Sequence, residues 1–295
     1  MSLFSIAKTC EKKYEKFLSK ITGEYNAVHY NILNPNFLTY HFMNMYVGEF
    51  SSRLCGTKGV LLDIGCGIKP YHRIFQNRVK KYYGLDYPEG INTDESRVLG
   101  TMENRPDLFA KPDIWGDGMH LPIKSRSIDT AVSFMVLEHI SEPDLFLKEV
   151  NRVMRVDGII ILSTVQAYPI HHNKYDFYRY TRLGLRYLFE KNGCEIVSIK
   201  PHGRFFVHIS EMINHYVNRR LFRNVKGNYL KIAGGILKVI LTPLLLLFTM
   251  IVNVIALIFN KIDIDETFTT GYTVLVKLQP RISGADPRVL GAEKT

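Results

Sequence analysis

Short apolar runs recur along the middle of this chain at intervals too long for a hairpin. They are Val60-Leu-Leu-Asp63, Lys81-Tyr-Tyr-Gly-Leu-Asp86, Thr130-Ala-Val-Ser-Phe134 and Gly158-Ile-Ile-Ile-Leu-Ser163. The intervals are of crossover length, and one of them, Pro143 to Val156, carries Leu145, Phe146, Val150, Val153 and Met154 at helical spacing. Strands that alternate with helices pair in parallel and need cover on both faces. The expected fold is therefore α/β, a doubly wound and mostly parallel sheet. A further helix, Leu183 to Lys191, stops at Asn192-Gly193 and leads into the strand Glu195 to Lys200; a last strand is expected at Gly271 to Lys277. Upstream, residues 4–20 and 36–54 read as amphipathic helices, and the tail from Pro280 reads as disordered.

Composition narrows the class. With 46% hydrophobic and 22% charged residues over 295 positions, neither a disordered chain nor a polytopic membrane protein fits. Lysine and arginine number 38 against 28 acidic residues, a formal charge of +10 that favours anionic partners. The four cysteines, Cys10, Cys55, Cys66 and Cys194, form no C-x-x-C pair and have no flanking histidine cluster, so neither a disulfide framework nor a metal site is expected. The N-terminus turns charged at Glu11, Lys12 and Lys13 before any apolar core of signal-peptide length, which points to the cytoplasmic side.

The chemistry-bearing segment follows the first strand. Asp63-Ile-Gly65-Cys66-Gly67 places a carboxylate and two glycines where the backbone must turn sharply and pass close to a ligand. A dinucleotide loop would carry a third glycine where Pro70 stands, which disfavours nicotinamide or flavin. Asp86, 19 residues past Gly67 at the end of the next strand, suits a ribose diol, because one carboxylate accepts from both hydroxyls. A helix N-cap is the plain alternative.

These residues, together with Gly116-Asp117-Gly118-Met119-His-Leu-Pro122, Ser127-Ile-Asp-Thr-Ala-Val132, Val136-Leu-Glu-His139 and Glu149-Val-Asn-Arg152, resemble a class I S-adenosylmethionine-dependent methyltransferase of the methyltransferase-11 type over about residues 58–200. The resemblance implies a Rossmann-like, seven-stranded sheet and S-adenosylmethionine as cofactor, with no metal. It implies cofactor contacts from Asp63, Gly65, Cys66, Gly67, Asp86, Asp117, Gly118, Met119 and Phe134: the loop under the methionine part, Asp86 at the ribose and Asp117 at the adenine amino group. Lys69 replaces the third glycine of the family loop.

After the fourth strand the chain reads Tyr168-Pro-Ile-His171-His172-Asn-Lys-Tyr175-Asp176-Phe-Tyr-Arg179-Tyr-Thr181, at the end of the sheet where substrates sit in such folds. His171 or His172 is the expected proton acceptor from a hydroxyl, with Tyr175 beside it and Asp176 or a neighbour orienting it. The alternative is an Asp176–Arg179 ion pair with Thr181 capping the next helix.

Some 70 residues separate the strand ending near Lys200 from the one starting at Gly271, and Val239 to Phe259 are 21 residues without a charge. That is long enough to cross a bilayer core of roughly 30 Å. The final strand must rejoin the sheet, so a monotopic or re-entrant insertion is expected, bent at Pro243 or Gly234-Gly235. Arg219, Arg220, Arg223, Lys226, Lys231 and Lys238 precede it and suit an anionic leaflet. A homodimer interface is the alternative. The expected organisation is a helical cap at 1–57, a methyltransferase domain at 58–204 and 268–279, a membrane-associating insertion at 205–267 and a tail at 280–295. The expected acceptor is a hydroxyl of a lipid-linked glycan or another amphiphile, with quinone ring methylation or an inactive membrane scaffold as alternatives and no nucleic-acid partner.

Overall fold

The computed structural model describes residues 31–54, 59–88, 110–171, 174–222 and 228–278. The elements are α1 Phe37–Ser52, β1 Val60–Ile64, a single-turn α2 His72–Phe75, β2 Lys81–Asp86, β3 Ile114–Trp115, β4 Ile128–Phe134, α3 Pro143–Val153, β5 Met154–Val165, α4 Arg182–Lys191, β6 Cys194–Pro201, α5 Phe205–Phe222, α6 Asn228–Asn260 and β7 Gly271–Leu278. The expected helix at 4–20, the tail from Pro280 and His172 lie outside the described residues.

The seven strands form one sheet in the order β3-β2-β1-β4-β5-β7-β6. β1 pairs in parallel with β2, Val60 opposite Lys81, and with β4, Leu61 opposite Thr130. The strand order therefore reverses between β1 and β4, which leaves a crevice beyond their carboxyl ends. Leu62, Ile64, Leu85, Ala131 and Leu162 join one core with helix residues Phe146, Leu147, Val150, Leu185 and Phe189.

The helices follow from local chemistry. α3 starts with Pro143 in its first turn, where no N–H is needed, and buries Phe146, Leu147, Val150 and Val153 on one stripe. α4 is capped by Thr181, whose Oγ1 accepts from the Gly184 amide at 3.0 Å, and stops at Gly193 in the left-handed region. Two boundaries differ from expectation. α3 ends at Val153, because β5 begins at Met154 and turns through Asp157 at φ 64 before its apolar half. β3 is two residues long and carries no periodicity for a sequence to display.

The chain divides into two compact units: Tyr46–Gln166, Ile170–Lys200 and Tyr272–Thr295, which holds the sheet, and Met1–Met45, Ala167–Pro169 and Pro201–Gly271. In the second unit α5 and α6 form an antiparallel hairpin. Arg204 N donates to Asn260 Oδ1 at 2.8 Å, the Phe206 and Phe259 rings stack at 5.0 Å, and Asn214 Nδ2 donates to Asn253 Oδ1 at 2.9 Å. α6 is continuous helix through Gly234, Gly235 and Pro243, and the chain reverses between α5 and α6. Pro243 is on the exposed side of the helix.

The hairpin is polar inside and apolar outside. The buried stripe of α6 is Thr242, Leu245, Thr249, Asn253, Ala256 and Asn260, and that of α5 holds Val207, Ser210, Glu211 and Asn214. Several of those polar groups bond one another or nearby backbone: Glu211 accepts from Thr39 N at 2.6 Å and Thr39 Oγ1 at 2.5 Å, and Asn253 donates to the Ile32 carbonyl at 2.8 Å. Facing out are Ile240 (64% exposed), Leu244, Leu247, Ile251, Ile255 and Ile258 (58%). The segment Ile240–Asn260 is long and apolar enough to cross a membrane, with a mean hydropathy of 2.5.

Candidate active site

The loop after β1 folds back onto β2. Gly65 N and Cys66 N both donate to the Leu85 carbonyl, at 2.8 and 3.1 Å, and Gly65 sits at φ 73. A Cβ there would stand 2.4 Å from Val136 Cγ2, so the turn admits only glycine. Lys69, at the family's third glycine, takes the left-handed conformation itself at φ 54. Its buried ammonium ion-pairs with Asp113, whose carboxylate also accepts from Gly84 N at 2.7 Å. That pair offsets the roughly 1–2 kcal/mol cost of a left-handed side chain. Cys66 is buried against Gly84, where a Cβ would lie 2.6 Å from its Sγ, and burial raises its thiol pKa far out of the reactive range.

Asp86 ends β2 and is buried. Gly67 N donates to its Oδ2 and Tyr87 N to its Oδ1 at 2.7 Å, so the carboxylate ties the glycine loop to the second strand. Burial raises its pKa, and those two backbone bonds pull the other way. Asp117 follows β3, and its Oδ1 accepts from Met119 N at 2.8 Å, which sets the Gly118-Met119 turn. A Cβ on Gly118 would meet the Phe146 ring at 3.1 Å. Tyr87 and Trp115, next to these two acids, expose large ring faces at 44% and 49%. Phe134 packs beneath the loop with its ring 4.5 Å from that of Tyr71.

Asp63 is 1% exposed and accepts from the Tyr82 hydroxyl, so it braces the strands beneath the loop. Burial pushes its pKa up to about 7. A carboxyl raised in the folded state stays protonated there while the unfolded chain ionises, so its contribution is full at low pH and is lost as pH rises from about 4 to 7. Asp63→Asn is expected to flatten the decline in stability over that interval by about 1.4 kcal/mol per pH unit. Denaturation midpoints at pH 5 and 7 check this; equal slopes in the two proteins would show that Asp63 ionises normally.

The second cluster sits past β4. One helical turn, Leu137–His139, presents Glu138 and His139. His139 Nδ1 lies 2.6 Å from the Tyr175 carbonyl, which can only accept, so Nδ1 carries the proton and Nε2 points to His171 Nε2 at 3.1 Å. Asp176 takes both guanidinium nitrogens of Arg179, at 2.5 and 2.8 Å, and the His171 amide at 3.1 Å. The Arg179 bonds, foremost, hold its pKa down to about 2. Asp176 thus orders the loop that carries His171, with Thr181 capping α4 as the alternative reading of the loop had it. Tyr175 contributes its carbonyl to His139 and packs its ring edge-on to Tyr87 at 6.4 Å. Glu138 is fully buried; its Oε2 accepts from Thr164 Oγ1 at 2.8 Å, and its pKa is pushed up to about 7 by burial. Glu138 and His139, from the Val136-Leu-Glu-His139 segment, thus join the loop that carries His171. A Glu-His pair directly after the switch-point strand was the available signal.

Residues 62–162 match the methyltransferase domain family. Among curated relatives the chain is 33% identical over 110 residues to an uncharacterized protein of Methanocaldococcus jannaschii, covering 37% of this chain and 38% of that one. It is 30% identical over 107 residues to a malonyl-[acyl-carrier protein] O-methyltransferase of Serratia marcescens, covering 36% and 38%. The match thus spans under two fifths of these relatives' length. Among solved structures it is similar to a Haemonchus contortus phosphoethanolamine N-methyltransferase in complex with S-adenosylhomocysteine, at TM-score 0.43 and 13% identity over 80% of this chain and 53% of that one.

The cradle fits S-adenosylmethionine. Nothing lies within 4 Å of where a Gly67 Cβ would stand, so the loop backbone borders open space. Each Asp86 oxygen spends one lone pair on a backbone amide and keeps another for a hydroxyl.

Proposed function

We infer that this chain, whose residues 62–162 form a class I S-adenosylmethionine-dependent methyltransferase domain, methylates an oxygen acceptor held at a membrane surface. The acceptor is a hydroxyl of a lipid-linked glycan or similar amphiphile. The observation that carries the membrane part is the inverted hairpin. Its polar residues are buried and bonded to one another, and its Ile, Leu and Phe face outward on both sides of α6. Such a face is costly in water and stable in the interfacial zone of a bilayer. Because α5 leaves and α6 returns, β7 can rejoin the sheet without any part of the chain being translocated. The charge of +10 favours an anionic leaflet. The Serratia relative's name supports oxygen as the acceptor atom.

The bound cofactor supplies an electrophilic methyl group on a sulfonium. This chain's own residues do the rest. Asp86 and the Gly65–Gly67 loop fix position, Phe134 and Tyr71 hold the loop from below, and alignment with exclusion of water supplies most of the rate. A hydroxyl must also give up its proton, and the His139–His171 pair is the group placed to lower that cost. His171→Ala is expected to reduce turnover about 100-fold while leaving cofactor affinity intact. Single-turnover transfer from labelled cofactor, paired with calorimetric binding, checks this. Normal turnover in the variant would reduce the loop to a positioning role.

A further inference from the structure

We propose that Glu138, His139 and His171 form a site for a divalent first-row transition-metal ion. Three facts of geometry carry it. First, ligand atoms of the three side chains, one carboxylate oxygen and two imidazole nitrogens, all lie within 4.8 Å of one another. Second, two imidazole Nε2 atoms face each other at 3.1 Å while His139 Nδ1 is committed to the Tyr175 carbonyl. The His139 Nε2 lone pair and the His171 Nε2 atom thus converge on one point, where a cation would take both nitrogens as donors. Third, Glu138 Oε1 is buried without a hydrogen-bond partner, although Oε2 of the same carboxylate is bonded to Thr164. A fully buried carboxylate with one oxygen lacking a partner, next to two converging imidazoles, is an arrangement that a metal ion would satisfy.

The supports expected behind metal ligands are in place. The Tyr175 carbonyl fixes the tautomer and ring plane of His139, Thr164 orients Glu138, and the Asp176–Arg179 pair orders the backbone of His171. Metal–nitrogen bonds of about 2.1 Å with the nitrogens 3.1 Å apart subtend about 95° at the ion, nearer octahedral than tetrahedral. Two imidazole nitrogens at the spacing of adjacent octahedral positions, with one carboxylate oxygen within 4.8 Å of them, would leave positions for water or an oxygen ligand, a donor set that suits Fe(II), Mn(II), Co(II) or Ni(II). The site rests on the methyl-transfer reading only for its role, which is to acidify a hydroxyl that enters an open position. Binding itself does not depend on that reading.

Cobalt(II) titration of the metal-free full-length chain tests it, followed by calorimetry and by visible d–d absorption. The expected result is one ion per chain, with weak bands of a six-coordinate centre. Affinity should fall about 100-fold or more in His139→Ala, His171→Ala and Glu138→Gln and stay unchanged in His120→Ala. Each variant is first shown to bind S-adenosylmethionine, so a loss is not misfolding. A chain that binds S-adenosylmethionine but no cobalt, or whose affinity is untouched in the His139→Ala/His171→Ala double variant, overturns the metal site and leaves the transferase reading standing. A chain that binds cobalt and transfers no methyl group overturns the transferase reading alone.

Discussion

Asp86→Ala is expected to weaken S-adenosylmethionine binding by about 30-fold or more, the loss of charge-assisted hydrogen bonds worth on the order of 2–4 kcal/mol. The effect has two sources, because the carboxylate also holds the Gly67 and Tyr87 amides. Asp86→Asn separates them. An amide keeps one acceptor for Gly67 but loses the charge, so it should recover part of the loop order and little of the affinity. The fold should survive both changes, since the core beneath is built from Ile64, Leu85 and Leu62. Calorimetric titration of folded variants reads the result directly, and unchanged affinity would remove Asp86 from the cofactor site.

The second large effect belongs to the hairpin. Replacing Leu244, Leu247 and Ile251, all outward-facing, by Asp should move the chain from membranes to the soluble fraction, since each charge placed in hydrocarbon costs about 2.5–3.5 kcal/mol. Leu245 on the inner stripe is the wrong choice for this test, because a charge there would attack the hairpin itself. Cofactor affinity of the triple variant should be that of the parent. Flotation with anionic and with neutral vesicles provides the readout. A chain that floats with neither and instead dimerises through α6 would assign the apolar stripe to a second copy. Accessibility labelling at Asn228 and Lys277 should find both on one side of the membrane, and opposite sides would mean a single crossing.

Much of the sheet was readable because its central strands β1 and β4 and the second half of β5 are buried on both faces and so appear as apolar runs. β1, β2, β4, β6 and β7 fall within two residues of the expected runs. What escaped has physical causes. β3 pairs only Ile114 and Trp115 with β2, too short for any period. The helix at 143 ended three residues early because Asp157 and Gly158 allow a turn within β5, a matter of backbone angles and not of hydropathy. Pro243 does not end α6, because a proline on the exposed side costs the helix one hydrogen bond and no core contact. The sidedness of the hairpin was partly visible: Thr242, Thr249, Asn253 and Asn260 recur at seven, four and seven residues, a polar stripe along one helix face inside an apolar run. In the site, Asp86 and Asp117 announce themselves by standing at strand ends. The approach of His171 to His139 does not, because 32 residues separate them and only the parallel pairing of β4 with β5 brings the segments after these strands together. Each histidine could be singled out from its own segment; their approach to one another could not.

The most direct measurement is transfer itself. The purified full-length chain is incubated with methyl-labelled S-adenosylmethionine and anionic vesicles carrying a host lipid extract, and organic and aqueous fractions are counted. Label in the lipid-extractable fraction, reduced about 30-fold or more by Asp86→Ala at limiting S-adenosylmethionine and about 100-fold by His171→Ala, is the predicted result. Tight binding of S-adenosylmethionine with no label in any lipid fraction would contradict it.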